Sequence, residues 1–141
     1  FTIIGHGHLE AQIRQWMKEY GLTDFTQILI APSNVQDILK AADIYLSTSL
    51  FEGTSNSIME AMNWGIPVVA TNVGDNFVLE QNISGYLTPI GDVDGLVRGL
   101  SALLSSYQTR MLMGQKGHEN LHNFSPEKFK NNYYEILKTK I

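Results

Sequence analysis

Two glutamates separated by seven residues, Glu52 and Glu60, frame the run Gly53-Thr54-Ser55-Asn56-Ser57, in which every side chain is small, hydroxylated or an amide. A carboxylate is the natural partner of a diol, since two O–H donors meet two acceptor oxygens, and both sugars and ribose present diols. Small and hydroxyl residues just ahead of a helix suit a phosphate, because the first N–H groups of the helix are unpaired and the dipole favours negative charge. The local pattern leaves plainer alternatives open. Ser57-x-x-Glu60 fits a capping box, in which the glutamate bonds a backbone N–H of its own helix. Glu52, next to a glycine, fits a solvated turn.

Other residues with chemical potential are weaker. Gly5-His6-Gly7 follows an apolar run and would let backbone approach a phosphate, but Glu10 stands where a dinucleotide fingerprint has its third glycine. Two glycines shaping a tight strand-to-helix turn explain it equally well, and hydride transfer on a nicotinamide cofactor has no other support. His118-Glu119-Asn120-Leu121-His122 satisfies H-E-x-x-H, which can place two imidazoles on zinc and a glutamate on water. It falls in a polar helical stretch, and the only other histidines, His6 and His8, belong to the first turn. A zinc hydrolase using His118, Glu119 and His122 is therefore a remote alternative, and no metal site is expected.

The elements that must position these residues alternate. Strand-like runs occur at Phe1–Gly5, Ile28–Ala31, Ile44–Ser47, Pro67–Thr71 and Tyr86–Thr88, with helical patterns between most of them. Leu9, Ile13, Trp16, Met17 and Tyr20 form one stripe at helical spacing, and Val93, Leu96, Val97, Leu100, Leu103 and Leu104 form another; both are expected to face the core. Alternating strands and helices predict an α/β fold, a doubly wound parallel sheet covered on both faces. A helix from about Ser55 or Asn56 to Trp64 stops at Gly65 with Pro67 beyond. After Gly91 the pattern is helical only, at about 92–104, 107–122 and 126–139, with Ser125-Pro126 as a helix start. In such sheets ligands sit beyond the carboxyl ends of the strands, which draws attention to Gly5–His8, Ala31–Asn34, Ser47–Ser57, Asn72–Asn76 and Pro89–Gly91.

Composition narrows the function classes. A formal charge of -4 and a pI near 5.5 argue against nucleic-acid binding, which usually needs a basic face. Lys128, Lys130, Lys138 and Lys140 make only a mild cluster that reads as a solvated helix face. No apolar run approaches the ~20 residues that span a bilayer. The absence of cysteine removes disulfides and thiolate metal sites and fits a cytoplasmic location. One domain over residues 1–141 is expected, with an α/β region to about 105 and a helical tail from 106 to 141.

With these residues in view, the sequence resembles the retaining GT-B glycosyltransferases of the family 4 type, also called glycosyl transferases group 1. Glu52-Gly53-Thr54-Ser55-Asn56-Ser57-Ile58-Met59-Glu60-Ala61-Met62 looks like that family's glutamate pair, and Gly65-Ile66-Pro67-Val68-Val69-Ala70-Thr71 resembles its next strand. Ile3-Ile4-Gly5-His6-Gly7 and Ala42-Asp43-Ile44-Tyr45-Leu46-Ser47 extend the likeness over about residues 1 to 105. The resemblance implies a Rossmann-like C-terminal half of a GT-B fold that binds a nucleoside diphosphate sugar, with no cofactor. It implies that Glu52 contacts the donor sugar and is the residue nearest to catalysis, that Glu60 holds the ribose, and that Gly53, Thr54, Ser55, Asn56 and Ser57 meet sugar and phosphate. Gly5 and Gly7 would lie at the first turn, and Pro32 and Ser33 along the base.

Two departures stand out. Gly74-Asp75 replaces a Gly-Gly pair, and the family's first strand, with an Arg and a Lys for the phosphates, would precede Phe1. Arg14, Arg98 and Arg110 fall in helices and do not replace that pair. The resemblance thus predicts a fragment whose partner is the N-terminal acceptor domain of the same enzyme, inactive alone, with any membrane contact made through that other half; the alternative is a module that binds a nucleotide or carbohydrate without catalysis, or another GT-B enzyme, since fold alone does not decide.

Overall fold

The structure is a computed structural model that describes residues 1–74 and 78–138. Asp75 and Asn76 of the loop after Thr71, and Lys140 of the lysine cluster, lie outside the described residues. Two compact units divide the chain, Phe1–Asp37 and Ile38–Ile141.

The first unit contains strand β1 (Thr2–Ile4), helix α1 (Glu10–Glu19) and strand β2 (Gln27–Leu29); helix α2 (Val35–Lys40) begins in it and ends in the second. β1 and β2 pair in parallel, Ile3 opposite Ile28, and the ladder continues through Gly5 N–H to the Leu29 carbonyl at 3.0 Å. The expected stripe on α1 is only partly inward. Met17 is buried and Ile13 half-buried, whereas Leu9, Trp16 and Tyr20 are exposed. The reason is area: two strands of three residues cannot cover a ten-residue amphipathic helix.

The second unit carries β3 (Tyr45–Ser47), α3 (Asn56–Asn63), β4 (Val68–Thr71), β5 (Gly85–Thr88), α4 (Val93–Ser105), α5 (Tyr107–Leu121), a 3₁₀ turn at His122–Phe124 and α6 (Pro126–Lys138). Its sheet is parallel in the order β3-β4-β5, with Leu46 opposite Val69 and Val69 opposite Tyr86. Every residue of β4 is buried, as expected of a central strand covered on both faces. Alternation along β4 separates the two layers: Val68 and Ala70 join Ile58, Ala61 and Met62 of α3, and Val69 joins Leu103 of α4 and Met113 of α5.

The expected stripe on α4 is rotated. Gly95, Gly99 and Leu103 are the buried residues, Leu96 and Leu100 flank them, and Val93, Val97 and Leu104 face outward. A β-carbon at Gly99 would come within 3.1 Å of both Tyr86 Cβ and Val69 Cγ1, so it is glycine that lets the helix lie close on the strands. The four-residue spacing of Gly95 and Gly99 is the signal that apolar periodicity alone passes over.

The starts of three helices in this unit are closed by side chains. Asp92 Oδ1 accepts from Gly95 N–H at 2.8 Å, Ser106 Oγ from Thr109 N–H at 3.1 Å and Ser125 Oγ from Lys128 N–H at 3.3 Å, starting α4, α5 and α6. At the other end of α4, Arg110 donates to the carbonyls of Leu103 at 2.7 Å and Leu104 at 3.3 Å. Its cation thus meets the negative end of the helix dipole. Arg110→Met is expected to keep the aliphatic packing and lose about 1–2 kcal/mol by denaturant titration; an unchanged midpoint would show that water replaces the guanidinium without cost.

Candidate functional site

The loop from Ser47 to Ser55 leaves the carboxyl end of β3 and feeds α3, so its position is set by two neighbouring strands. Thr71, the buried last residue of β4, donates its hydroxyl to the Ser49 carbonyl at 2.6 Å. Ser47, the buried last residue of β3, has its hydroxyl 3.4 Å from that of Ser49, and Ser49 Oγ donates to Glu52 Oε1 at 2.7 Å. Glu52 is half-buried, not the freely solvated turn residue that its neighbouring glycine allowed.

The turn after β4 closes on the same loop. Gly74 has φ +56°, and a β-carbon there would overlap the Glu52 carbonyl oxygen and lie 2.6 Å from that of Gly53. Only glycine combines that backbone with that approach. The glycine kept from the Gly-Gly pair therefore has a packing role, pressing on the backbone of the first glutamate.

At the start of α3, the N-cap is Ser55, and its side chain makes no cap hydrogen bond; its hydroxyl lies 3.2 Å from that of Ser57 instead. This differs from α4, α5 and α6. The capping-box alternative for Glu60 fails on register. Ser57 is the second residue of the helix and Glu60 the fifth, so a box closing on Ser55 would need its glutamate at Ile58. Glu60 is exposed on α3, beyond the first turn.

One unit therefore brings together Glu52, Gly53, Thr54, Ser55, Asn56, Ser57 and Glu60 on one loop and the first two turns of one helix. Gly5, Gly7, Pro32 and Ser33 belong to the other unit, where they follow the carboxyl ends of the paired strands β1 and β2. Ser49 and Thr71 are the members that sequence reading missed as named participants. The clustering of serines ahead of Glu52 was visible, but which of them bonds the carboxylate depends on the turn.

The H-E-x-x-H segment is committed to other bonds. His118 Nδ1 donates to the Asn63 carbonyl at 2.8 Å, tying α5 to the end of α3, and the ring of His122 stands edge-on to that of His118 at 5.3 Å. Lys116 and Gln115 both donate to Glu119, and the Lys116 ammonium holds the Glu119 carboxyl below the usual carboxylate range. Among the described residues, no group of three or more His, Cys, Asp or Glu is placed to hold a metal ion. No helix among them is long and apolar enough to cross a membrane.

Comparison with known proteins bears on the family and the fold. Residues 1–106 match the glycosyl transferases group 1 family. The chain is 37% identical over 105 residues to the amylovoran biosynthesis glycosyltransferase AmsK of Erwinia amylovora, covering 68% of this chain and 26% of that protein. It is 28% identical over 102 residues to the UDP-Gal:alpha-D-GlcNAc-diphosphoundecaprenol alpha-1,3-galactosyltransferase of Escherichia coli, covering 71% and 26%. In fold it superimposes on Anabaena HepE, solved in complex with UDP, with a TM-score of 0.85 at 20% identity, over 98% of this chain and 40% of that one. The chain spans only about a quarter of the length of these two curated relatives. The match extends across the parallel strands, the glutamate-framed loop and the first helix after them, and the chain belongs to the glycosyl transferases group 1 family, with the α/β architecture of its GT-B members.

Proposed function

We propose that this chain is the donor-binding half of a two-domain glycosyltransferase that moves a sugar from a nucleoside diphosphate sugar to an acceptor hydroxyl, with retention of anomeric configuration, in the building of a polysaccharide or other glycan. The observation that carries the proposal is the start of α3. Three later helices of the unit are closed by their own side chains, whereas among the described residues the N-cap Ser55 makes no side-chain cap bond, behind a loop of small residues and between two glutamates. The first N–H groups of α3 suit the diphosphate, Glu52 suits hydroxyls of the sugar and Glu60 suits the ribose diol.

Charge that develops on the leaving diphosphate meets the positive end of α3, so the reaction as proposed needs neither a metal nor a cofactor beyond the donor. In the first unit, Gly5, Gly7, Pro32 and Ser33 follow the carboxyl ends of β1 and β2, and there they suit phosphate and base. The acceptor and any membrane surface are met by the other domain, the enzyme works in the cytoplasm, and this half alone does not turn over.

UDP is the first probe, because the name of one compared protein carries UDP-Gal and another was solved in complex with UDP. In a titration of the full-length protein with UDP, GDP, ADP, CMP and NAD, one nucleoside diphosphate is expected to bind saturably. Glu60→Ala is expected to weaken it roughly tenfold, the order of one lost charged hydrogen-bond pair, at unchanged thermal stability. Preference for NAD, or full affinity in Glu60→Ala, would sink the assignment.

A further inference from the structure

The loop residue that bonds the Glu52 carboxylate, Ser49, is itself tied to the sheet. Ser49 is held at two points, by the hydroxyl of Thr71 at 2.6 Å on its carbonyl and by the hydroxyl of Ser47 at 3.4 Å on its own. Those two residues end the hydrogen-bonded strands β4 and β3 and are buried, so the anchor is the sheet. Gly74 presses on the Glu52–Gly53 backbone. Main chain and carboxylate are thus fixed separately, from different elements.

We propose that Ser49 is the positioning residue for Glu52, its hydroxyl choosing the rotamer in which the carboxylate meets the donor. The proposal rests on the reading of Glu52 as a contact of the donor sugar. A glutamate side chain has three torsions to lose on binding, and a 2.7 Å bond from an anchored serine removes part of that loss beforehand. Ser49 takes one of about four lone-pair positions of the carboxylate, which leaves acceptors for a diol. A serine present only to stabilise the loop would act on UDP and UDP-glucose alike. A positioning serine acts on the sugar-dependent part alone.

The test uses the full-length protein, with Ser49→Ala, Ser49→Thr, Glu52→Gln and the Ser49→Ala/Glu52→Gln double variant. Affinities for UDP and UDP-glucose are measured in each, and crystal structures are solved of wild type and Ser49→Ala. Ser49→Ala is expected to keep UDP affinity, to lower UDP-glucose affinity roughly tenfold, and to show the Glu52 carboxylate displaced or multiply placed. Ser49→Thr, which retains a hydroxyl, is expected to stay near wild type, and Ser49→Ala is expected to add nothing in the Glu52→Gln background. A Glu52 carboxylate that keeps its place in Ser49→Ala, or equal losses for UDP and UDP-glucose, overturns the proposal. If wild type binds UDP-glucose no better than Glu52→Gln does, the donor reading of Glu52 falls, while the crystallographic comparison still decides whether Ser49 positions it.

Discussion

Replacing Glu52 with alanine in the full-length protein is expected to lower sugar transfer roughly 10²–10³-fold while UDP remains bound as before. The magnitude follows from one or two charge-assisted hydrogen bonds, each of about 1.5–3 kcal/mol, made to sugar hydroxyls and strengthened as the ring acquires positive character. Free UDP carries no sugar and should not register the loss. Glu52→Gln is expected to fall between, since an amide keeps an acceptor oxygen and loses the charge. The fold tolerates the change, because the loop is held through the Ser49 carbonyl and through Gly74 against main chain, neither of which involves the Glu52 side chain. Initial rates with UDP-sugar donors, set beside UDP affinity by calorimetry, make the check. Unchanged kcat/KM would remove Glu52 from the site, and equal loss of UDP binding would mean that the alanine disturbs α3 instead.

What the sequence showed of this arrangement depended on how local the cause was. The glutamate pair, the small residues between them and the glycine that ends α3 are neighbours in the chain, so their order already implied a loop feeding a helix. The register of that helix was less legible. Ser55 and Ser57 are both acceptable N-caps, and only the observed start at Asn56 separates a capping glutamate from one beyond the first turn. The grip of Thr71 on Ser49 spans 22 residues, and that of Gly74 on Glu52 depends on how the turn after β4 folds back, so neither had a local signature. The apolar stripes failed for a related reason. Periodicity gives the amphipathic face of a helix, but which edge of the face is covered depends on the layer beneath, here glycines on α4 and a small two-stranded sheet beside α1.

The same non-local logic makes Gly114 a position where one methyl group should cost stability although helix propensity favours it. α5 crosses the end of α3 at this residue, and the two backbones touch: a β-carbon at Gly114 would overlap the Gly65 carbonyl oxygen and lie 2.8 Å from its carbon. Neither side can yield readily. Gly65 sits at φ +68°, where the C-terminal turn of α3 closes through the Gly65 N–H to the Met62 carbonyl at 2.9 Å, and Pro67 behind it is buried. His118, one turn further along α5, is bonded to Asn63 on the same turn and keeps the helix from sliding away. Helix propensity alone would favour alanine by ~1 kcal/mol. Against it stands overpacking at a backbone contact, so Gly114→Ala is expected to destabilise by roughly 2–3 kcal/mol net. Gly117 is the internal control on the same helix, since a β-carbon there would meet Met62 Cγ and the Ser84 carbonyl oxygen at an ordinary 3.6 Å. Gly117→Ala should therefore be neutral or stabilising by up to ~1 kcal/mol. Chemical denaturation of the two variants beside wild type separates the explanations. Opposite signs place the cost in the α5–α3 backbone contact, and two similar values would show that the crossing relaxes and that propensity decides.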